Sequence, residues 1–141
     1  MSESRTEVGA DAAALAPLQS FLLEFWSNCQ LPPATLFPFE LALEEVFMNV
    51  VMHGSRDRPD VRAEFTLRHE DSWVELTIRD NGAPFDPLAA PEPDVTAPLE
   101  DRPIGGLGVH LIRTLMDAVS YALVDGRNVL VLRKHLDAEP N

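Results

Sequence analysis

Glu45 and Asn49 stand one helical turn apart inside Leu41–Met52, a run whose only other polar residue is Glu44. On a helix, residues at i, i+4 and i+8 share an edge, so His53 extends the same line. A helix this apolar is expected to be buried almost all round, and a buried carboxylate or amide must be satisfied by something. Asparagine offers a neutral oxygen and a neutral amide, suited to holding Mg²⁺ beside phosphates without neutralising the ion. Glutamate can orient or deprotonate a hydroxyl or a water aimed at a terminal phosphate. The plainer alternative is that both side chains satisfy backbone groups in neighbouring loops, with His53 as a helix-end residue.

A second cluster is Asp80-Asn81-Gly82-Ala83-Pro84-Phe85-Asp86. An aspartate can accept from the exocyclic amine of adenine, while Gly82 lets the backbone approach the ring. The same residues also spell an ordinary turn, with Pro84 and Phe85 packing it. The third cluster, Gly105-Gly106-Leu107-Gly108, immediately precedes an apolar-patterned helix. Glycines there expose N–H groups at the positive helix end, a site for phosphate oxygens, although such a cluster is also common in tight loops. It is neither a P-loop nor a Rossmann fingerprint. In this order and at these distances, the three clusters read as a nucleotide site.

The elements that must position them follow from periodicity. Leu15, Leu18, Leu22, Phe25, Trp26 and Cys29 form one helical stripe over Ala12–Cys29, which Leu31-Pro32-Pro33 ends. Thr35 is placed to cap a second helix that runs to about Gly54. The period then changes to two: Val61, Ala63, Phe65 and Leu67 alternate with polar residues, as do Val74, Leu76 and Ile78. Asp80 continues that inward parity, an expensive place for a charge unless a donor meets it. Pro84–Pro103 holds six of the twelve prolines and is expected to be a mobile surface loop rather than helix or ladder. Helical spacing resumes over Gly108–Asp117, and Val119–Val124 and Val129–Lys134 form a hairpin about Asp125-Gly126. Thr6–Ala10 can add an edge strand. Three helices on one face of a mixed or antiparallel sheet accommodate this order.

The 141 residues suit a single domain, and 45% hydrophobic with 24% charged residues is ordinary for a globular protein. A net charge of −12 argues against direct nucleic-acid binding and permits a basic protein partner. The absence of any long apolar run predicts no membrane span, and the first residues do not read as a signal peptide. One cysteine, Cys29, allows no internal disulfide, so a cytoplasmic location is expected.

These residues carry a resemblance. Glu-Glu-Val-Phe-Met-Asn-Val-Val-Met-His-Gly (44–54), Asp-Asn-Gly-Ala-Pro-Phe-Asp-Pro (80–87) and Gly-Gly-Leu-Gly-Val-His-Leu-Ile (105–112) resemble the histidine-kinase-like ATPase superfamily. Within it, the chain looks most like the small anti-sigma regulatory factor and serine-protein kinase branch, over roughly residues 6–135. The resemblance implies an α+β fold, a two-layer sandwich of the Bergerat type with helices on one face of a mixed sheet. ATP would lie between the helices and a lid at about 84–104. By motif position, Glu45 would be the catalytic base and Asn49 the Mg²⁺ ligand. Asp80 and Gly82 would contact adenine, and Gly106 and Gly108 would lie beside the phosphates. His53, Pro84, Phe85, Gly105 and Leu107 complete the candidate nucleotide contacts. Arg102 is the nearest candidate for a basic residue that kinase-active members tend to keep just before the lid glycines. The last hairpin reads Gly126-Arg127-Asn128 where relatives usually carry Gly-Thr. The implied partners are a sigma factor and an anti-sigma antagonist phosphorylated on serine or threonine, with a homodimer as the implied assembly. The competing function is a non-enzymatic switch in which ATP only sets affinity for a protein partner.

Overall fold

A computed structural model describes residues 1–54, 58, 60–89 and 106–136. In chain order they form β1 (Ser2–Gly9), α1 (Leu15–Asn28), α2 (Phe37–Asn49), β2 (Arg62–Glu70), β3 (Trp73–Asp80), α3 (Gly106–Leu115), β4 (Ala118–Val124) and β5 (Arg127–His135). The strands make one sheet in the order β1-β2-β3-β5-β4. Every neighbouring pair is antiparallel, so the sheet is not mixed. The reason lies in the connections. β3 and β4 run the same way, as a strand–helix–strand crossover requires, but the β4–β5 hairpin folds back and inserts β5 between them.

Alternation decides which face is covered. Phe65, Ile78 and Leu130 lie side by side across β2, β3 and β5, and Leu67, Leu76 and Leu132 form the next row. These rows pack against Leu18, Leu22 and Trp26 of α1, Phe39, Leu43 and Phe47 of α2, and Ile112 of α3 in one core. Phe39, Phe47 and Phe65 are fully buried, and each such side chain contributes about 1.5–3 kcal/mol. The opposite face carries charges at the alternate positions. Arg5 pairs with Glu64, Arg62 with Glu7, and Arg133 with Glu75. No helix among the described residues is long and apolar enough to cross a membrane.

Four local expectations change. β1 begins at Ser2 and pairs with β2 along its whole length, well ahead of Thr6. Its alternation is of charge rather than hydrophobicity, so apolar periodicity could not find it. Thr35 does not cap α2, which starts without a side-chain cap. Its hydroxyl instead donates to the Pro32 carbonyl at 2.6 Å and accepts from the Trp26 indole N–H at 3.1 Å. That buried indole needs an acceptor, and Thr35 supplies it. α2 stops at Asn49, and Val50–Gly54 widens into a π-turn. The widened turn brings Gly54 to the end of β3, where its carbonyl accepts from the Ala83 N–H at 3.1 Å. Finally, Pro87–Ala89 forms a 3₁₀ turn inside the expected loop, with Pro87 buried and Leu88 packed on the core. The hairpin turn matches expectation: Asp125 and Gly126 both have positive φ, 53° and 79°, as a type I′ turn requires.

Candidate functional site

The inward parity of Asp80 places a carboxylate at the end of β3 with only 7% of the residue exposed. Two donors meet one of its oxygens. The Gly82 N–H reaches Oδ1 at 2.9 Å, and so does the Asn128 side-chain amide. Burial pushes the Asp80 carboxyl above its ordinary value, while the bonds from Asn128 and Gly82 pull it back in part. No described residue donates to Oδ2.

Around this group lies a shallow pocket, about 390 Å³ of non-atom space with its open mouth included. Val46 and Asn49 of α2, Val50 and Gly54 of the π-turn, Ile78 and Asp80 of β3, and Tyr121, Asn128 and Leu130 of β4 and β5 line it, together with Ala83, Phe85 and Pro87. The walls are largely aliphatic, and the polar groups of Asp80, Asn128 and Tyr121 meet on the sheet side. Such a slot suits a flat heterocycle that presents a donor to Asp80.

Glu45 and Asn49 are half-buried, while Glu44 and Met52 are exposed. α2 is therefore not buried all round; one edge stays open. No described residue hydrogen-bonds the Glu45 or Asn49 side chain. They do not tie down described neighbouring loops, which was the plainer reading. Glu45 lies outside the lining, next to Val46 and one turn from Asn49. Its carboxyl is raised, first by burial and then by the adjacent Glu44 charge.

His53 leaves the line of Glu45 and Asn49 because the π-turn intervenes. Its ring stacks on Phe85, with centroids 5.4 Å apart and planes 27° apart, at the pocket mouth. Pro84 is exposed and lies outside the lining. Gly82 meets a requirement the sequence did not reveal. A Cβ there would lie 2.8 Å from the Gly54 carbonyl oxygen and 2.9 Å from the Gly54 Cα. Glycine is needed so that two stretches of backbone can touch, quite apart from any ligand. Gly106, Leu107 and Gly108 form the first turn of α3 rather than a bend before it. α3 packs on α2, and its first turn carries N–H groups without helical acceptors. Arg102 and Gly105 lie outside the described residues.

Asn128 and Tyr121 are the main additions. Asn128 lies opposite Asp80 in the β3–β5 register and is 6% exposed. The parity argument that singled out Asp80 would have found it, because Leu130 and Leu132 fix the inward positions of β5.

Comparisons with known proteins identify the family. Residues 8–134 match the family model described as the histidine kinase-like ATPase domain. The chain is similar to the serine/threonine-protein kinase BtrW of Bordetella bronchiseptica, 37% identical over 99 residues, covering 70% of each chain. It is 33% identical over 100 residues to the serine-protein kinase RsbW of Bacillus cereus, covering 67% of this chain and 61% of that one. The fold matches the crystal structure of the RsbU and RsbW domains of a Mycobacterium tuberculosis protein with a TM-score of 0.68 at 14% identity. That match covers 96% of this chain and 33% of the other. With a family model matched across nearly the whole chain and a relative 37% identical over 70% of it, the chain belongs to the histidine kinase-like ATPase domain family.

Proposed function

We propose that this protein is an ATP-dependent protein serine/threonine kinase that acts on an anti-sigma antagonist and also holds a sigma factor. The observation that carries the reading is that Asp80, with donors on Oδ1 alone among the described residues, and Asn49, whose side chain no described residue hydrogen-bonds, line one largely aliphatic slot. The serine-protein kinase names of its relatives supply the reaction class.

Bound ATP supplies the terminal phosphoryl group. Asp80 Oδ2 accepts a hydrogen bond from the base, and Val46, Val50, Ile78 and Leu130 exclude water around it. The amide of Asn49 would hold Mg²⁺ near the phosphates, its neutral oxygen suiting a cation that keeps most of its water. N–H groups of the first turn of α3 would meet the negative charge of the phosphates. Glu45, one turn before Asn49, accepts the proton of the acceptor hydroxyl. Its raised carboxyl is a stronger base than a solvated one.

The test is transfer of labelled phosphate from Mg-ATP to the purified antagonist. Glu45→Ala should lower transfer by roughly 10²–10⁴-fold while nucleotide affinity, read by calorimetry, stays within about threefold. Equal transfer by the variant removes Glu45 from the reaction. Nucleotide-dependent partner affinity with no transfer by the wild type would instead establish the non-enzymatic switch.

A further inference from the structure

Of the positions of β1–β5 that alternate onto the covered face of the sheet, only Asp80 and Lys134 hold an aspartate, glutamate, lysine or arginine. They stand at opposite ends: Asp80 lies across from Asn128, and Lys134 across from Val74. Asp80 belongs to the pocket, whereas Lys134 is no part of its lining. The Lys134 Nζ donates instead to the carbonyl of Leu115 at 2.8 Å, and Leu115 is the last residue of α3. A helix leaves its final carbonyls without internal donors and gathers partial negative charge there, so an ammonium group is well placed. Two more bonds reach the same junction from the flanking residues of β5. The Asp117 N–H donates to the Arg133 carbonyl at 2.9 Å, and the His135 N–H donates to Asp117 Oδ2 at 2.7 Å. Arg133, Lys134 and His135 together clasp the end of α3 to the sheet.

We propose that Lys134 is a positioning residue for phosphate binding: by fixing the far end of α3 it aims the first turn of that helix at the phosphates. α3 has ten residues, so its first turn lies about 15 Å from the clasp. Over such a lever a tilt of about 4° moves the far end by about 1 Å, enough to spoil hydrogen-bond geometry. Direct attraction between Lys134 and a phosphate is largely screened at that range, beyond a Debye length of about 8–10 Å. The link therefore runs through the helix. It divides the nucleotide in two: the base meets the sheet wall, which the clasp does not touch, and the phosphates meet the helix it holds. The inference rests on the nucleotide reading above and adds to it the residue that keeps the phosphate-binding helix in line.

The measurement is calorimetry of Mg-ATP and of adenosine with the full chain as wild type, Lys134→Met and Lys134→Arg. Methionine keeps most of the apolar stem and removes the donor and its charge. Lys134→Met should weaken ATP about tenfold and leave adenosine within about twofold. Lys134→Arg restores a cationic donor and should return the ratio of the two affinities to within about threefold of the wild type. A merely structural role would weaken ATP and adenosine together and leave their ratio alone. That result, a wild-type ratio in Lys134→Met, or an arginine variant no better than the methionine one overturns the assignment of Lys134. A wild type that binds neither ligand overturns the nucleotide reading itself.

Discussion

The sheet wall of the pocket carries a carboxylate, the helix wall has one just outside the lining, and the two are built on opposite terms. On the sheet wall, Asp80 is deeply buried and already holds two donors. Asn128 in turn is anchored by the main chain of Ala83 and Phe85. On the helix wall, Glu45 and Asn49 are half-exposed and meet no described hydrogen-bond partner. Both carboxyls are raised by burial, but only Asp80 has hydrogen bonds that oppose the shift, while Glu45 has a like charge that adds to it. A pre-built wall suits recognition, because its polar groups need no reorganisation when a base arrives. A wall whose groups no described residue satisfies suits the chemistry proposed above, because those groups would be available to a metal ion and an acceptor hydroxyl.

The comparison breaks most sharply at Asp80. Asp80→Asn keeps an oxygen for Gly82 and Asn128 but turns the second group into a donor, so it should meet a base amine donor to donor. Nucleotide affinity is expected to fall on the order of 100-fold, measured by calorimetry. Stability should move the other way. Because the folded carboxyl is raised, the native state binds more protons than the unfolded chain in the interval above the ordinary carboxylate value. Its contribution is complete below that value and is lost as pH rises through the raised one. The wild type should therefore lose stability across that interval, and Asp80→Asn should flatten this slope in melts recorded from acid to neutral pH.

A smaller effect is expected where the sheet wall meets the π-turn. Gly82→Ala puts a Cβ against the backbone of Gly54, which cannot swing aside as a side chain can. A loss of about 1–3 kcal/mol in denaturant unfolding is expected. The smallest effect belongs to the helix wall. Glu44→Gln removes the like charge beside Glu45 but leaves burial in place. The rise of phosphoryl transfer with pH should begin at lower pH in this variant, while nucleotide affinity stays unchanged. A pH profile that does not move would mean Glu45 is not the titrating base.

Much of this arrangement was legible before any coordinates. Parity along β3 pointed Asp80 inward, and the i, i+4 spacing put Glu45 and Asn49 on one edge of α2. The same parity along β5 would have exposed Asn128, had a neutral amide looked as costly inside as a charge does. What stayed hidden had non-local causes. Thr35 reads as a helix cap until the indole of Trp26 is seen to need its oxygen. His53 reads as the next residue on the Glu45–Asn49 line until the π-turn rotates it onto Phe85. Gly82 reads as room for a ligand, and its close approach to the Gly54 backbone adds a second need for glycine that no local pattern shows.

By itself, then, the sequence determined the order of the elements, the covered face of the sheet and the polar residues available to a nucleotide, because local periodicity and side-chain chemistry suffice for these. Tertiary structure alone decided that β5 would insert between β3 and β4, that Asn128 would meet Asp80, and that the Glu45–Asn49 edge would stay open. Such outcomes depend on which hydrogen-bonding groups arrive opposite one another from distant parts of the chain, and no local pattern encodes that.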